Sequence, residues 1–309
     1  MLIAWVRRQR EWNFMLSAVI AVVLSLLNSA AIPIHIPGLE GIVEKLVFGV
    51  GIWLLAQGYH AVLTRINLFE ATSQFPVVLM VLLLSAFPGA PMDWLFLGST
   101  ALWICVLYNV LRAPGEVRSH AAVFNAGFFA GSLILLVPAY FYFILFVWLY
   151  LGLSGPYSFR QGVITGLGYV LPPLYFICFD YILFGGVGSS LWLRSGLAPY
   201  SGLVSFSVVL GVVLGIWLLL VMGWTLASVR QNAGLKKHQR QVLQLSYLHL
   251  LSLMPLVFWL PNSEVRILSI GAFSLAVIGS FYFMIGPVNR VKDVLFWLLL
   301  GFSVVVVWL

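Results

Sequence analysis

Apolar runs of about twenty residues succeed one another from residue 13 to the end of the chain, and no polar stretch between them is long enough to fold by itself. A helix of about that length matches the ~30 Å hydrocarbon core of a bilayer. Inside hydrocarbon only helices or closed barrels satisfy their own backbone hydrogen bonds. The runs lie near 13 to 32, 44 to 64, 72 to 88, 93 to 112, 121 to 136, 138 to 154, 162 to 185, 203 to 228, 243 to 261, 265 to 287 and 293 to 309. They predict an all-α, polytopic transmembrane helical bundle of about eleven spans, forming a single integral membrane domain over residues 1 to 309. Composition agrees: 62% of the 309 residues are hydrophobic and 8% are charged, where soluble domains carry about a quarter. Mean hydropathy is +1.06.

The formal charge of +7 is dispersed in short clusters between apolar runs, with no basic stripe or domain for nucleic acid. The clusters read as topology signals. With the N-terminus in the cytoplasm, thirteen of the sixteen basic residues fall inside, among them Arg7, Arg8, Arg10, Arg65, Arg112, Arg118, Arg160, Arg240, Arg290 and Lys292. Lys45, Arg194 and Arg266 alone fall outside. This asymmetry predicts a periplasmic C-terminus. The loop VRQNAGLKKHQRQV, residues 229 to 242, is expected to be a basic, solvated segment suited to anionic lipid headgroups or an acidic partner. On the other side, residues 186 to 202 form the longest outer loop. Arg7, Arg8 and Arg10 before FMLSAVIAVVLSLL and NSAA resemble a secretory signal, but the stretch reads better as a first transmembrane helix. Two short spans flank Pro138, with one broken helix or a re-entrant hairpin as the alternative. Trp94, Trp103, Trp148, Trp192, Trp259, Trp297 and Trp308 read as interfacial anchors. Cys105 and Cys178 lie in apolar runs, where a thiol packs as a small hydrophobe.

Polar groups inside apolar spans are costly, which makes them the functional leads. Asp180, in LYFICFDYILFGG, sits near the outer end of the seventh span, past Pro172 and Pro173, which should kink the helix. Gly166, Tyr169, Pro173, Phe176 and Asp180 are expected on one face. Asp180 either snorkels or pairs with Arg194 or Arg266, or it contacts a cation, proton or substrate at an outward pocket. His60 and His249 are either interhelical hydrogen-bond partners or, with Asp180, members of a proton path. Asn125 lies in AVFNAGFFAGS, where Ala126, Gly127, Ala130 and Gly131 have the spacing that lets helix backbones approach closely. Glu40 and Glu44 are the only outer acidic pair; they imitate weakly the acidic first outer loop of polyprenol-phosphate-dependent glycosyltransferases. No HExxH, GxSxG, CxxC or Walker motif is present, and neither a cofactor nor a metal is expected.

Three stretches carry a family resemblance: LTRINLFEATSQFPVVLMVLLLSAFPG, NVLRAPGEVRSHAAVFNAGFFAGSLILLVPAYFYFILFVWLYLGL and PYSFRQGVITGLGYVLPPLYFICFDYIL, with the terminal VNRVKDVLFWLLL. In order and spacing they resemble a family of polytopic inner-membrane proteins of Bacteroidota. The resemblance implies a bacterial inner-membrane location and an envelope role, and it transfers no catalytic residues. Taken together, these features predict a non-enzymatic subunit or scaffold of an envelope-biogenesis or secretion complex, partnered by lipids and other membrane subunits. Two alternatives stand beside it: an enzyme or flippase acting on a polyprenyl-phosphate-linked substrate at the outer leaflet, with Arg194 on the phosphate, and a proton-coupled transporter.

Overall fold

The computed structural model describes residues 10–27, 39–65, 68, 75–85, 94–113, 120–154, 158–186, 188, 237–259, 264–284, 290 and 292–298, and among them there is no strand. The helices are α1 (Arg10–Leu27), α2 (Leu39–Arg65), α3 (Phe75–Ser85), α4 (Trp94–Arg112), α5 (His120–Leu136), α6 (Phe143–Ser154), α7 (Phe159–Phe184), α8 (Lys237–Trp259) and α9 (Glu264–Met284), with a 3-10 turn at Pro138–Tyr142 before α6. Residues 292–298 are helical as well. Nine of the eleven expected segments therefore coincide with helices; 203 to 228 lies outside the described residues, as does most of 293 to 309. Ile42–Arg65 and Phe159–Phe184 are each long and apolar enough to cross a membrane, judged by length and composition. The chain divides into two compact units: Met1–Asp93, Gly202–Leu250 and Val265–Leu309 form the first, and Trp94–Ser201 with Leu251–Glu264 the second.

In the first unit, α1 and α2 run antiparallel. Small residues four apart on α1 (Ser17, Ala21, Ser25) match four-residue steps backwards along α2. Ser25 Oγ donates to the Lys45 carbonyl at 2.6 Å, and Trp53 Nε1 donates to Ser17 Oγ at 3.2 Å. Between those bonds Gly49 lies against Ala21 and Val22, where an added Cβ would meet Val22 Cα at 3.0 Å. Phe14 closes the far end edge-on to Trp53, centroids 5.0 Å apart. Helix α3 packs on both and is buried on every side from Phe75 to Leu84, as befits a helix that is apolar all round. Its first residue, Phe75, joins Phe283 and Phe296 in an aromatic cluster with centroids 5.6 to 6.0 Å apart.

The second unit is organised by the contact between α5 and α7. An added Cβ on Gly127 would overlap the Thr165 carbonyl oxygen, one on Gly131 the Tyr169 carbonyl oxygen, and one on Gly168 the Phe124 carbonyl oxygen. The backbones touch, as small-residue spacing permits. The opposition of 127 to 165 and of 131 to 169 shows that α5 and α7 run parallel. For two parallel helices to be neighbours, the intervening chain must return along their length. Pro138–Ser154 does so, its 3-10 turn and α6 together reaching about 28 Å at ~2.0 and ~1.5 Å per residue. The extended Val137 and Pro138 break the chain as expected, and α6 is a return pass. Trp103, expected at an interface, is fully buried in the middle of α4. Its ring contacts Phe143 and Phe146 at 4.9 and 5.5 Å, and Tyr140 stacks on Phe143 at 4.7 Å.

Helix α7 opens with a capping box: Gln161 N donates to Ser158 Oγ and Ser158 N to Gln161 Oε1. It runs as one helix through Pro172 and Pro173, where a kink was expected. The prolines remove the donors that would bond to the carbonyls of Gly168 and Tyr169, and the Tyr169 oxygen faces the Cα of Gly131 instead. The helix ends at Gly185, whose φ of +67° glycine adopts freely, with its N–H donating to the Tyr181 carbonyl at 3.2 Å.

Candidate functional site

Along α7 the buried positions are Thr165, Gly168, Pro172 and Asp180, with Phe176 half-buried between the last two. This is a ridge of one three-residue and three four-residue steps. It differs from the expected face, since Gly166, Tyr169 and Pro173 are displaced to its flank and only Asp180 and Phe176 are shared. Tyr169 donates its hydroxyl to the Phe141 carbonyl, and Gly166 faces the Trp148 ring. Away from the ridge, Phe159, Leu167, Val170, Tyr175, Phe179 and Ile182 are all exposed. Asp180 is therefore the buried acid on a helix whose other sides are apolar and open.

Its carboxylate has a specific neighbour. The chain turns at Gly185 and Gly186, and the Gly186 N–H donates to the Asp180 carbonyl at 3.2 Å. Gly188 then comes back over the side chain, so close that an added Cβ would stand 2.5 Å from Oδ1. Asp180 is 7% exposed in this arrangement. Carboxylate and glycine turn form one local unit at the C-terminal end of α7. Arg194 lies outside the described residues, and of Arg266 only the backbone is described.

This closeness yields an expected result. Gly188→Ala should cost about 1 to 3 kcal/mol in the native background, because the new methyl meets the carboxylate. In an Asp180→Ala background it should cost much less. Thermal unfolding of the four proteins in detergent measures the coupling; strictly additive losses would show that Gly188 and Asp180 do not interact.

The other candidates are dispersed. His249 is fully buried on α8, with Nδ1 2.6 Å from the Oγ of Ser274 on α9. His60 is buried on α2, beside Tyr59, whose ring meets Phe273 edge-on at 4.5 Å. Both histidines belong to the first unit and Asp180 to the second. Asn125 is exposed on α5, while its neighbours Ala126, Gly127, Ala130 and Gly131 are buried. Asn109 donates to the Cys105 carbonyl at 2.8 Å. Glu40 lies in the first turn of α2, and Glu44, one turn on, is exposed. Among the described residues no group of three His, Cys, Asp or Glu side chains is placed to hold a metal ion.

Two features escaped the sequence reading. Lys292, counted as a topology charge, is only 4% exposed, with Nζ 5.3 Å from the Tyr282 ring centroid. The basic loop expected from 229 to 242 is helical from Lys237, and Gln239 Nε2 donates to the Leu68 carbonyl at 3.2 Å.

The fold defines an all-helical protein with two helices suited to crossing a membrane. Comparison with known proteins found no matching family model, no similar curated protein and no similar solved structure.

Proposed function

We propose that this chain is a multi-pass protein of the bacterial cytoplasmic membrane, with about eleven spans, a cytoplasmic N-terminus and a periplasmic C-terminus. Its role in this reading is that of a non-enzymatic subunit or scaffold in a cell-envelope biogenesis or secretion complex. The observation that carries the reading is α7. At 26 residues it is about 39 Å long, enough for the hydrocarbon core with some tilt, and it exposes large apolar side chains from Phe159 to Phe184. Such a surface suits lipid or the helices of a partner. The thirteen-to-three division of basic residues supports the orientation. The polar candidates favour a structural role: Asp180 is folded under its glycine turn, His249 is bonded to Ser274, and Asn109 to its own helix.

The reading is tested on the native protein. It is expected to stay with membranes after an alkaline carbonate wash and to elute from mild detergent with another membrane protein in fixed ratio. A chain that always elutes alone sinks the subunit role.

A further inference from the structure

Four helix ends and a short helix meet at one end of the first unit. Gln239, in the first turn of α8, bonds to Leu68, just past the end of α2. Phe75, which opens α3, packs on Phe283, at the end of α9, and on Phe296 in the helical stretch 292–298. Lys292 lies over the ring of Tyr282, also at the end of α9. These contacts gather Arg65, the last residue of α2, with Arg240, Arg290 and Lys292. The three arginines are exposed and the lysine is buried. Among the described residues at this end of those helices, Asp293 is the one acid.

Among the described residues here four cations stand against one anion, a positive balance whose guanidinium groups match phosphate geometry. The next turn of the same short helix then exposes Val294, Trp297 and Leu298. Charge and open apolar surface thus stand side by side. That combination fits a molecule with a phosphate at one end and hydrocarbon at the other, and it suits neither a free anion nor an acidic peptide.

We infer that this end of the first unit binds the headgroup of an anionic phospholipid. Arg65, Arg240 and Arg290 take the phosphate oxygens, Lys292 over Tyr282 closes the inner side, and Val294, Trp297 and Leu298 lie along the acyl chains. The inference rests on the reading of the chain as a membrane protein, and it places this end on the cytoplasmic side.

The test is native mass spectrometry of the full chain released from micelles doped with phosphatidylglycerol, cardiolipin or phosphatidylcholine. The anionic lipids are expected to be retained and phosphatidylcholine lost. At about 1 kcal/mol per basic side chain, roughly fivefold, the triple variant Arg65→Gln, Arg240→Gln, Arg290→Gln should bind about a hundredfold more weakly. Its thermal midpoint in phosphatidylcholine should match the native one, which reports on folding. Arg160→Gln, an exposed cation of the second unit, should leave retention unchanged. Equal retention of all three lipids, an unaffected triple variant, or an equal loss in Arg160→Gln overturns the site. Inorganic phosphate protecting the protein as well as the lipids do would overturn the lipid assignment. A chain washed off membranes by carbonate brings down the membrane reading itself, whereas one that stays but shows no lipid preference brings down this site alone.

Discussion

Replacing Gly131 by leucine is expected to be among the most damaging single changes in the second unit, costing at least about 3 kcal/mol. The reason is that the neighbour is backbone. A Cβ at this position runs into the carbonyl of Tyr169, and no side-chain rotation can clear it. The helices must separate along their whole contact, which also loosens Gly127 against Thr165 and Gly168 against Phe124. Gly152→Leu is the matched control, since a Cβ on Gly152 meets nothing within 4 Å. Thermal aggregation in detergent compares the two. If Gly131→Leu and Gly152→Leu melt together, α5 and α7 do not touch as described.

Trp103→Ala is expected to cost about 3 to 5 kcal/mol. The indole is fully enclosed, with Phe143 on one side and Phe146 beside it, so its removal leaves a cavity that the stacked Tyr140 and Phe143 cannot fill without giving up their own contact. Trp103→Phe keeps a ring in place and should lose less than half as much. An interfacial anchor would behave differently: its loss would be mild and sensitive to lipid. Trp148, 38% exposed, supplies the comparison. Equal midpoints for Trp103→Ala and Trp148→Ala would return Trp103 to the interface.

Helix positions were legible because the apolar runs are bounded by residues with definite backbone preferences. The expected 93 to 112 and 121 to 136 match α4 and α5 to within a residue, bracketed by Arg112 and His120. The start of α7 was set three residues late, although the Ser158 and Gln161 capping box that begins it can be read directly. Faces were far less legible. A soluble helix marks its inner side by polarity, and a helix such as α3, apolar all round, offers no such mark. Small residues were the remaining guide. They marked the buried side of α5 through Gly127 and Gly131, but on α7 the even 3.6-residue spacing pointed to Gly166, where the packed ridge uses Gly168. Lys292 was hidden for another reason: a basic residue between spans looks like a topology signal, and nothing in the sequence marks its placement over the Tyr282 ring.

The parallel course of α5 and α7 has a consequence for how the protein is made. Gly168 leaves the ribosome about forty residues after the glycines of α5, a delay of about 2 to 8 seconds at ~5 to 20 residues per second. In the proposed membrane reading, Gly127 and Gly131 present a bare seam to the bilayer throughout that time, because the segment that covers it has not been synthesised and the return pass must be laid down first. This backbone-to-backbone contact of the second unit is thus closed late. On that reading, this seam is the place during insertion where an assisting protein, or a mismatched helix, would find its opening.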